Sequence, residues 1–456
     1  MKKLSYILPI LMLFVSCVKN ETLVNRDKEE LGIQVELSDI EFASIAFDSP
    51  KELTEDIAKD ILINFIKSEQ KGSLTRVGSV PSISLIEKSI LQTGNKRATT
   101  KSSTSMDDMI RTSVYEFKIS DGENEGFALV SGDERSPALV AYVPKFDEIT
   151  YSECGGAHIM LEHAKASHLS DIVFIENLKD SLRDKTYVKI SEKLNIPVKN
   201  LTYEIIKDKI KIAGETITRS SPVTTPPTRI YSFVYPLITT KWNQHAPYNS
   251  KHPDIVINKN TGEKGKPYAG CVPISIAQVF VYLEVPGYKA LGQTINWKTL
   301  KATETISNTA PQATRDMVGN LLYEVGENTG VDYRYSSSNI HNGTWTTFST
   351  ANSYANRIIN TGATQNYNWT VVQNSLLARE PVLIQGQGHG WILDGYAVCK
   401  KSGTAGASQY DTYVTTNFGW EGFLDGYYKL NDDYSANFHG SYQTAQLSIV
   451  PNCRKK

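Results

Sequence analysis

The sequence predicts an α+β protein in two domains, on three observations. Residues 45–212 carry apolar residues at helical spacing near both ends, with alternating strand-like runs grouped between them rather than interleaved. Residues 213–229 hold Gly214, Pro222, Pro226 and Pro227 among Ser and Thr, a composition that cannot build a core. Residues 230–453 open around one strongly apolar helix and close on a series of strands separated by glycines.

A chain of 456 residues is too long for one ordinary domain. Its net charge of -1 leaves no electrostatic case for nucleic acid or an anionic surface as partner. Lys2 and Lys3 precede an apolar stretch over 4–15 and then Ser16-Cys17, a pattern too short for a spanning helix and right for an export signal. The small residue before Cys17 resembles a bacterial lipobox, with Phe14 where Leu is usual. Residues 1–17 therefore read as a lipoprotein-type signal with Cys17 as the lipid attachment point, against an ordinary cleaved signal with a coincidental cysteine. On either reading the mature chain is exported, and on the first it is held at the bacterial cell envelope. Residues 18–44 are polar and read as a tether. The remaining cysteines, Cys154, Cys271, Cys399 and Cys453, are widely spaced, with no CxxC pair to suggest structural zinc. Cys399 and Cys453 can be a disulfide or two buried thiols.

Within 45–212, Ile57, Ala58, Ile61, Leu62 and Phe65 give an amphipathic helix starting near Thr54. A Ser/Thr/Lys-rich loop covers 96–105. Residues 114–119 alternate as a strand, Asp121-Gly122 marks a turn, 126–131 form its partner, and 137–143 add another strand. Helical spacing returns over 157–182. His158, His163 and His168 lie there at intervals of five, about 140° apart round a helix, so they share no face and form no metal site. Arg219 and Arg229 make the following linker a site for proteolytic cutting. Two domains joined by a cuttable connection have the arrangement of a zymogen.

The second domain opens with Trp242-Asn243-Gln244-His245-Ala246-Pro247-Tyr248-Asn249 and a Lys/Gly/Asn-rich loop. Then comes Ala269-Gly270-Cys271-Val272, where Cys271 sits directly ahead of an apolar helical run. Unsatisfied N–H groups and the macrodipole at a helix start stabilise a thiolate, so a lowered thiol pKa is expected. Alone, this stretch is equally compatible with a small buried hydrophobe opening a core helix. A further helix is expected over 314–327, a cleft-wall loop over 335–346, and strands over 381–385, 391–398, 410–417 and 426–430.

Cysteine hydrolases need a thiolate, an imidazole that pairs with it and protonates the leaving group, and a polar group that orients the imidazole. His389, in Gly386-Gln387-Gly388-His389-Gly390, stands at a strand entrance, as a cleft histidine or as one in a surface turn. Asn417 ends a later strand, as orienter or as turn residue. Gln244 and the Cys271 backbone N–H can donate to an oxyanion.

Trp242-Asn243-Gln244 with Pro247-Tyr248-Asn249, Ala269-Gly270-Cys271-Val272 with Ala277-Gln278, Gly388-His389, Asp394-Gly395, and Asn417-Phe418-Gly419-Trp420 with Asp425-Gly426 resemble the streptopain family of papain-like cysteine peptidases. The resemblance covers roughly 235–430. Phe127-Ala128-Leu129-Val130-Ser131-Gly132-Asp133 and its neighbouring helices are similar to that family's inhibitory propeptide. The resemblance implies a papain-like two-lobed fold preceded by a propeptide domain over 45–212. It implies Cys271 as nucleophile, His389 as base and acid, Asn417 as orienter and Gln244 as oxyanion donor, with Gly388 and Trp420 in the substrate groove. Phe418 stands where the family usually has Trp, and Pro273 where small residues are commoner, although proline fits a helix's first turn. The loop at 335–343 also departs from the family's glycine-rich one.

The expected function is an exported cysteine endopeptidase made as a zymogen, cutting proteins or peptides through a Cys271 thioester. Its own propeptide is the expected inhibitor. No cofactor, metal or nucleic acid is expected, and membrane contact comes only through lipid on Cys17. The alternative is a catalytically inactive surface lipoprotein of the same fold that binds peptides or host proteins. Acyl transfer would use the same residues.

Overall fold

Val35, Leu37 and Phe42 are too apolar for a tether, and all three are buried. The computed structural model describes residues 34–72, 81–93, 109–122, 124–213, 230–258, 260–333, 339–340, 345–400, 410–431 and 446–456. Residues 35–44, the last part of the expected tether, instead fall in a strand and a helix. Strand β1 (Val35–Leu37) pairs in parallel with β6 (Ile210–Ile212), which ties the start of the N-terminal region to its end. Helix α1 (Asp39–Ala46) follows at once because Ser38 and Glu41 form a reciprocal capping box. Cys17, the linker beyond Ala213 and most of the expected wall loop lie outside the described residues.

Helix α2 (Glu55–Gly72) begins where Thr54 predicts and buries Ala58, Ile61, Leu62 and Phe65 against an antiparallel meander. Its strands are β2 (Ser82–Gln92), β3 (Arg111–Asp121), β4 (Asn124–Ser131) and β5 (Leu139–Val143). Beyond a short helix α3 (Glu148–Glu153), helix α4 (Gly155–Leu194) runs 40 residues, far past the expected end at 182. Buried side chains recur along it as far as Thr186, Tyr187 and Ile190, and it stops at Asn195 in the left-handed region.

The C-terminal region contributes β7 (Ile230–Val234), β8 (Gln365–Asn366), β9 (Val382–Gly386), β10 (His389–Lys400), β11 (Tyr410–Asn417), β12 (Tyr427–Lys429) and β13 (Ser448–Val450). Among the described residues these and the meander form one sheet in the order β8-β13-β9-β10-β11-β12-β5-β4-β3-β2, with β7 on β10. The join is antiparallel, Tyr427 opposite Tyr142 and Tyr428 opposite Ala141. The regions on either side of the linker thus share a sheet and two apolar clusters, one of them packing Phe65 on Tyr142, Tyr413 and Tyr427.

Helices α5 (Cys271–Leu283) and α6 (Gln312–Thr329) build a separate cluster beside the sheet, in which Ile392 and Val450 also take part. The α+β class is as expected, with a helical lobe carrying Cys271 and a sheet lobe carrying His389. Cys399 and Cys453 are free thiols buried in different clusters, so the disulfide considered from the sequence is not formed.

Candidate active site

Gly270 holds φ 99°, a conformation that side chains disfavour, and turns the chain into α5 with Cys271 as its first residue. All that follows on the helix is apolar and buried except Ser275, Gln278 and the half-buried Tyr282. Across the cleft, Gln387 and Gly388 both have positive φ, the two-residue hairpin geometry that joins β9 to β10 and sets His389 at the first position of β10. Next to it, a Cβ on Gly390 would lie 2.6 Å from Val272 Cγ2, so glycine is what lets β10 approach the helix start. The Gly390 N–H donates to Cys271 Sγ at 3.4 Å.

Burial pushes the Cys271 thiol above its ordinary pKa, and the Gly390 and Val272 N–H groups only partly oppose this. The lowering expected from the helix start is therefore overturned in this state by desolvation. Burial also lowers the pKa of His389. Both groups are held neutral, and no hydrogen bond joins them.

The cover over this pair comes from the N-terminal region. A Cβ on Gly155, the first residue of α4, would collide with His389 Nε2 and fall 2.6 Å from both neighbouring ring carbons. One on Gly156 would sit 3.1 Å from the rings of Phe418 and Trp391. The buried Cys154 thiol lies close enough to Cys271 for their negative forms to oppose each other. On the far side, the Tyr268 hydroxyl donates to Glu153 Oε2 at 3.2 Å. Residues 153–156 thus lie over the imidazole and beside the thiol. Paired glycines opening a long helix are costly, and here they mark a close approach. Gly155→Val would force α4 off the ring at a cost of about 1–3 kcal/mol. Cys271 in the intact chain is expected to react with a thiol reagent roughly 5- to 100-fold faster, as measured by alkylation rate.

Asn417 is buried at the end of β11 and is spoken for elsewhere. Its Oδ1 accepts from Gln278 Nε2 at 3.0 Å and from Gly419 N–H at 3.2 Å, and its Nδ2 donates to the Thr240 carbonyl at 2.9 Å. It does not bond His389. Gln244 lies beside Cys271 through its carbonyl, which accepts from Ala269 N–H at 2.9 Å.

Residues 242–428 match the model of the Peptidase C10 family. These residues therefore carry a streptopain-like cysteine peptidase domain. The chain is 22% identical to streptopain of Streptococcus pyogenes serotype M1 over 386 residues, 75% of this chain and 81% of that protein. Among solved structures it is similar to a Prevotella intermedia prointerpain A fragment (18% identity, TM-score 0.44, 81% of this chain and 100% of that one). It is also similar to active interpain A of the same organism (20% identity, TM-score 0.35, 49% and 96%). The match to this family supports a cysteine peptidase made as a zymogen.

In this domain Trp420 is buried edge-on to His245 and Tyr268. Gly388 is the second turn residue of the hairpin, directly ahead of His389. Two buried carboxylates, Asp425 and Asp394, support this part of the sheet. Asp425 accepts from Phe418 N–H at 2.9 Å and from Lys241 Nζ at 2.8 Å. Asp394 accepts from the Thr415 hydroxyl at 2.7 Å and from Ile238 N–H, and burial pushes its pKa up to about 6 against the pull of Lys241 and Thr415. Among the described residues no group of three or more His, Cys, Asp or Glu gathers to hold a metal.

Proposed function

We propose that this chain is an exported cysteine endopeptidase whose N-terminal region keeps it silent until residues 213–229 are cut. The carrying observation is the seat of Gly155 on the His389 ring, while Cys271 Sγ takes its hydrogen bond from Gly390 instead of the imidazole. Withdrawal of residues 153–156 readmits water and frees the ring to approach the thiol, which favours the thiolate–imidazolium pair over the two neutral groups. The thiolate attacks the peptide carbonyl, and the oxyanion is held by the Cys271 backbone N–H and Gln244. His389 protonates the departing amine, a thioester remains, and water activated by His389 releases the acid and the thiol. Asn417 orients the ring, and Gly388 and Trp420 line the groove. Lipid on Cys17 anchors the precursor to the envelope, and scission of the linker separates the peptidase from that anchor.

Alkylation of Cys271 against pH tests the reading. In the intact chain the rate should stay low at neutral pH and climb only above the ordinary thiol range near 9, because burial raises this thiol. After scission and removal of the N-terminal region, the rate should be high at pH 7, with casein hydrolysis appearing in parallel. Equal profiles and equal hydrolysis in the two forms would refute the silencing role.

A further inference from the structure

Gln278 lies on α5 about two turns beyond Cys271, fully buried, and bonds neither the thiol nor the imidazole. Its neighbours on the helix are Ala277 and Val279, both in the apolar cluster of the helical lobe. An amide at such a position costs free energy unless both of its ends are bonded. Both are. Nε2 donates to Asn417 Oδ1 at 3.0 Å, and Oε1 accepts from Trp242 N–H at 3.2 Å.

Those two bonds reach the other two segments that the proposed chemistry uses. Trp242 stands two residues ahead of Gln244, whose carbonyl accepts from Ala269 N–H just before Cys271. Asn417 has its amide direction fixed from both sides. The Thr240 carbonyl can only accept, so it takes Nδ2, and Gln278 Nε2 can only donate, so it takes Oδ1. A flipped Asn417 would set donor against donor and acceptor against acceptor. The remaining bond to Oδ1, from Gly419 N–H at 3.2 Å, is local and longer, and is the one an arriving imidazole N–H can share.

We propose that Gln278 is a positioning residue for peptide hydrolysis: it holds the Asn417 oxygen in the orientation that receives His389, and holds the Trp242 to Gln244 segment against the Cys271 helix. This rests on the reading of Cys271, His389, Asn417 and Gln244 as the working set.

The test uses the full chain activated by scission within residues 213–229, with Gln278→Met, Gln278→Glu, Asn417→Ala and the double variant Gln278→Met/Asn417→Ala. Gln278→Met keeps the volume and removes both bonds, so kcat should fall about 10- to 100-fold with KM within roughly 3-fold. The double variant should lose clearly less than the product of the two single losses, because the larger part of the Gln278 effect passes through the Asn417 oxygen. Gln278→Glu adds a readout that packing alone would not move. The introduced carboxyl can donate to Asn417 when protonated and not when ionised, so the deficit relative to wild type should widen as pH rises. If Gln278→Met misfolds, this pH dependence decides alone. Wild-type kcat in a folded Gln278→Met, multiplicative losses in the double variant, or a pH-independent deficit in Gln278→Glu would each overturn the proposal. Full activity of Asn417→Ala would instead remove the reading beneath it, and the proposal with it.

Discussion

Cys271→Ala is expected to abolish peptide hydrolysis, lowering kcat by at least about 10⁴-fold, since removing a nucleophile leaves only binding and oxyanion stabilisation. The intact variant should accumulate uncut when expressed alone, unless another protease cuts residues 213–229. The substitution removes one sulfur from a half-buried position, so the fold should survive and the loss reads as chemistry. The control that gives the experiment its force is Cys154→Ala. Both thiols lie in the same cleft and each stands at the start of a helix, Cys154 ahead of α4 and Cys271 at the head of α5. Only Cys271 belongs to the part that remains after scission. Cys154→Ala should therefore retain full hydrolysis once processed. A purified, processed Cys271→Ala protein that still cleaved casein would sink the nucleophile assignment.

The features legible in the sequence are those encoded by neighbours in the chain. Gly270 ahead of an apolar run marks a helix start at Cys271, and the Gly-Gln-Gly-His-Gly stretch marks a tight hairpin at His389. The strand 410–417 runs as expected and ends on Asn417. Features set by distant parts were not legible. Strand β2 is hidden because a bulge at Leu85 and Glu87 shifts the phase of its alternation. β1 gains its meaning only from β6, so Val35 and Leu37 look like stray apolar residues in a polar tether. α4 outruns its expected end because the charged residues near 179–185 sit on a helix whose later turns are buried again, by Thr186, Tyr187 and Ile190. The thiol pKa shows the same division most clearly. Local reasoning at a helix start argues for a lowered value, and burial of the thiol in the folded chain reverses it.

Asp171→Ala is expected to loosen the N-terminal region by about 3 kcal/mol or more, and so to raise the alkylation rate of Cys271 in the intact chain by roughly 100-fold. Asp171 lies on α4, in the part that should be removed, while Lys429 on β12 and Asp411 on β11 belong to the part that stays. Lys429 is fully buried, with Nζ 2.6 Å from Asp171 and 2.7 Å from Asp411. Burial disfavours its charge, but the two carboxylates outweigh that and hold its pKa above the ordinary range. Removing Asp171 leaves Lys429 with one counterion and opens a space beside a buried charge, whereas the separated C-terminal region never had that contact. The processed enzyme should therefore be unaffected by Asp171→Ala, and only the precursor should become leaky. Lys429→Met offers the complementary measurement: it strands carboxylates on both sides of the join, so precursor and processed form should both lose thermal stability. The contact works as a lock on the precursor only if the two substitutions differ in this way. If instead Asp171→Ala left precursor alkylation unchanged, the pair would not hold α4 over the cleft.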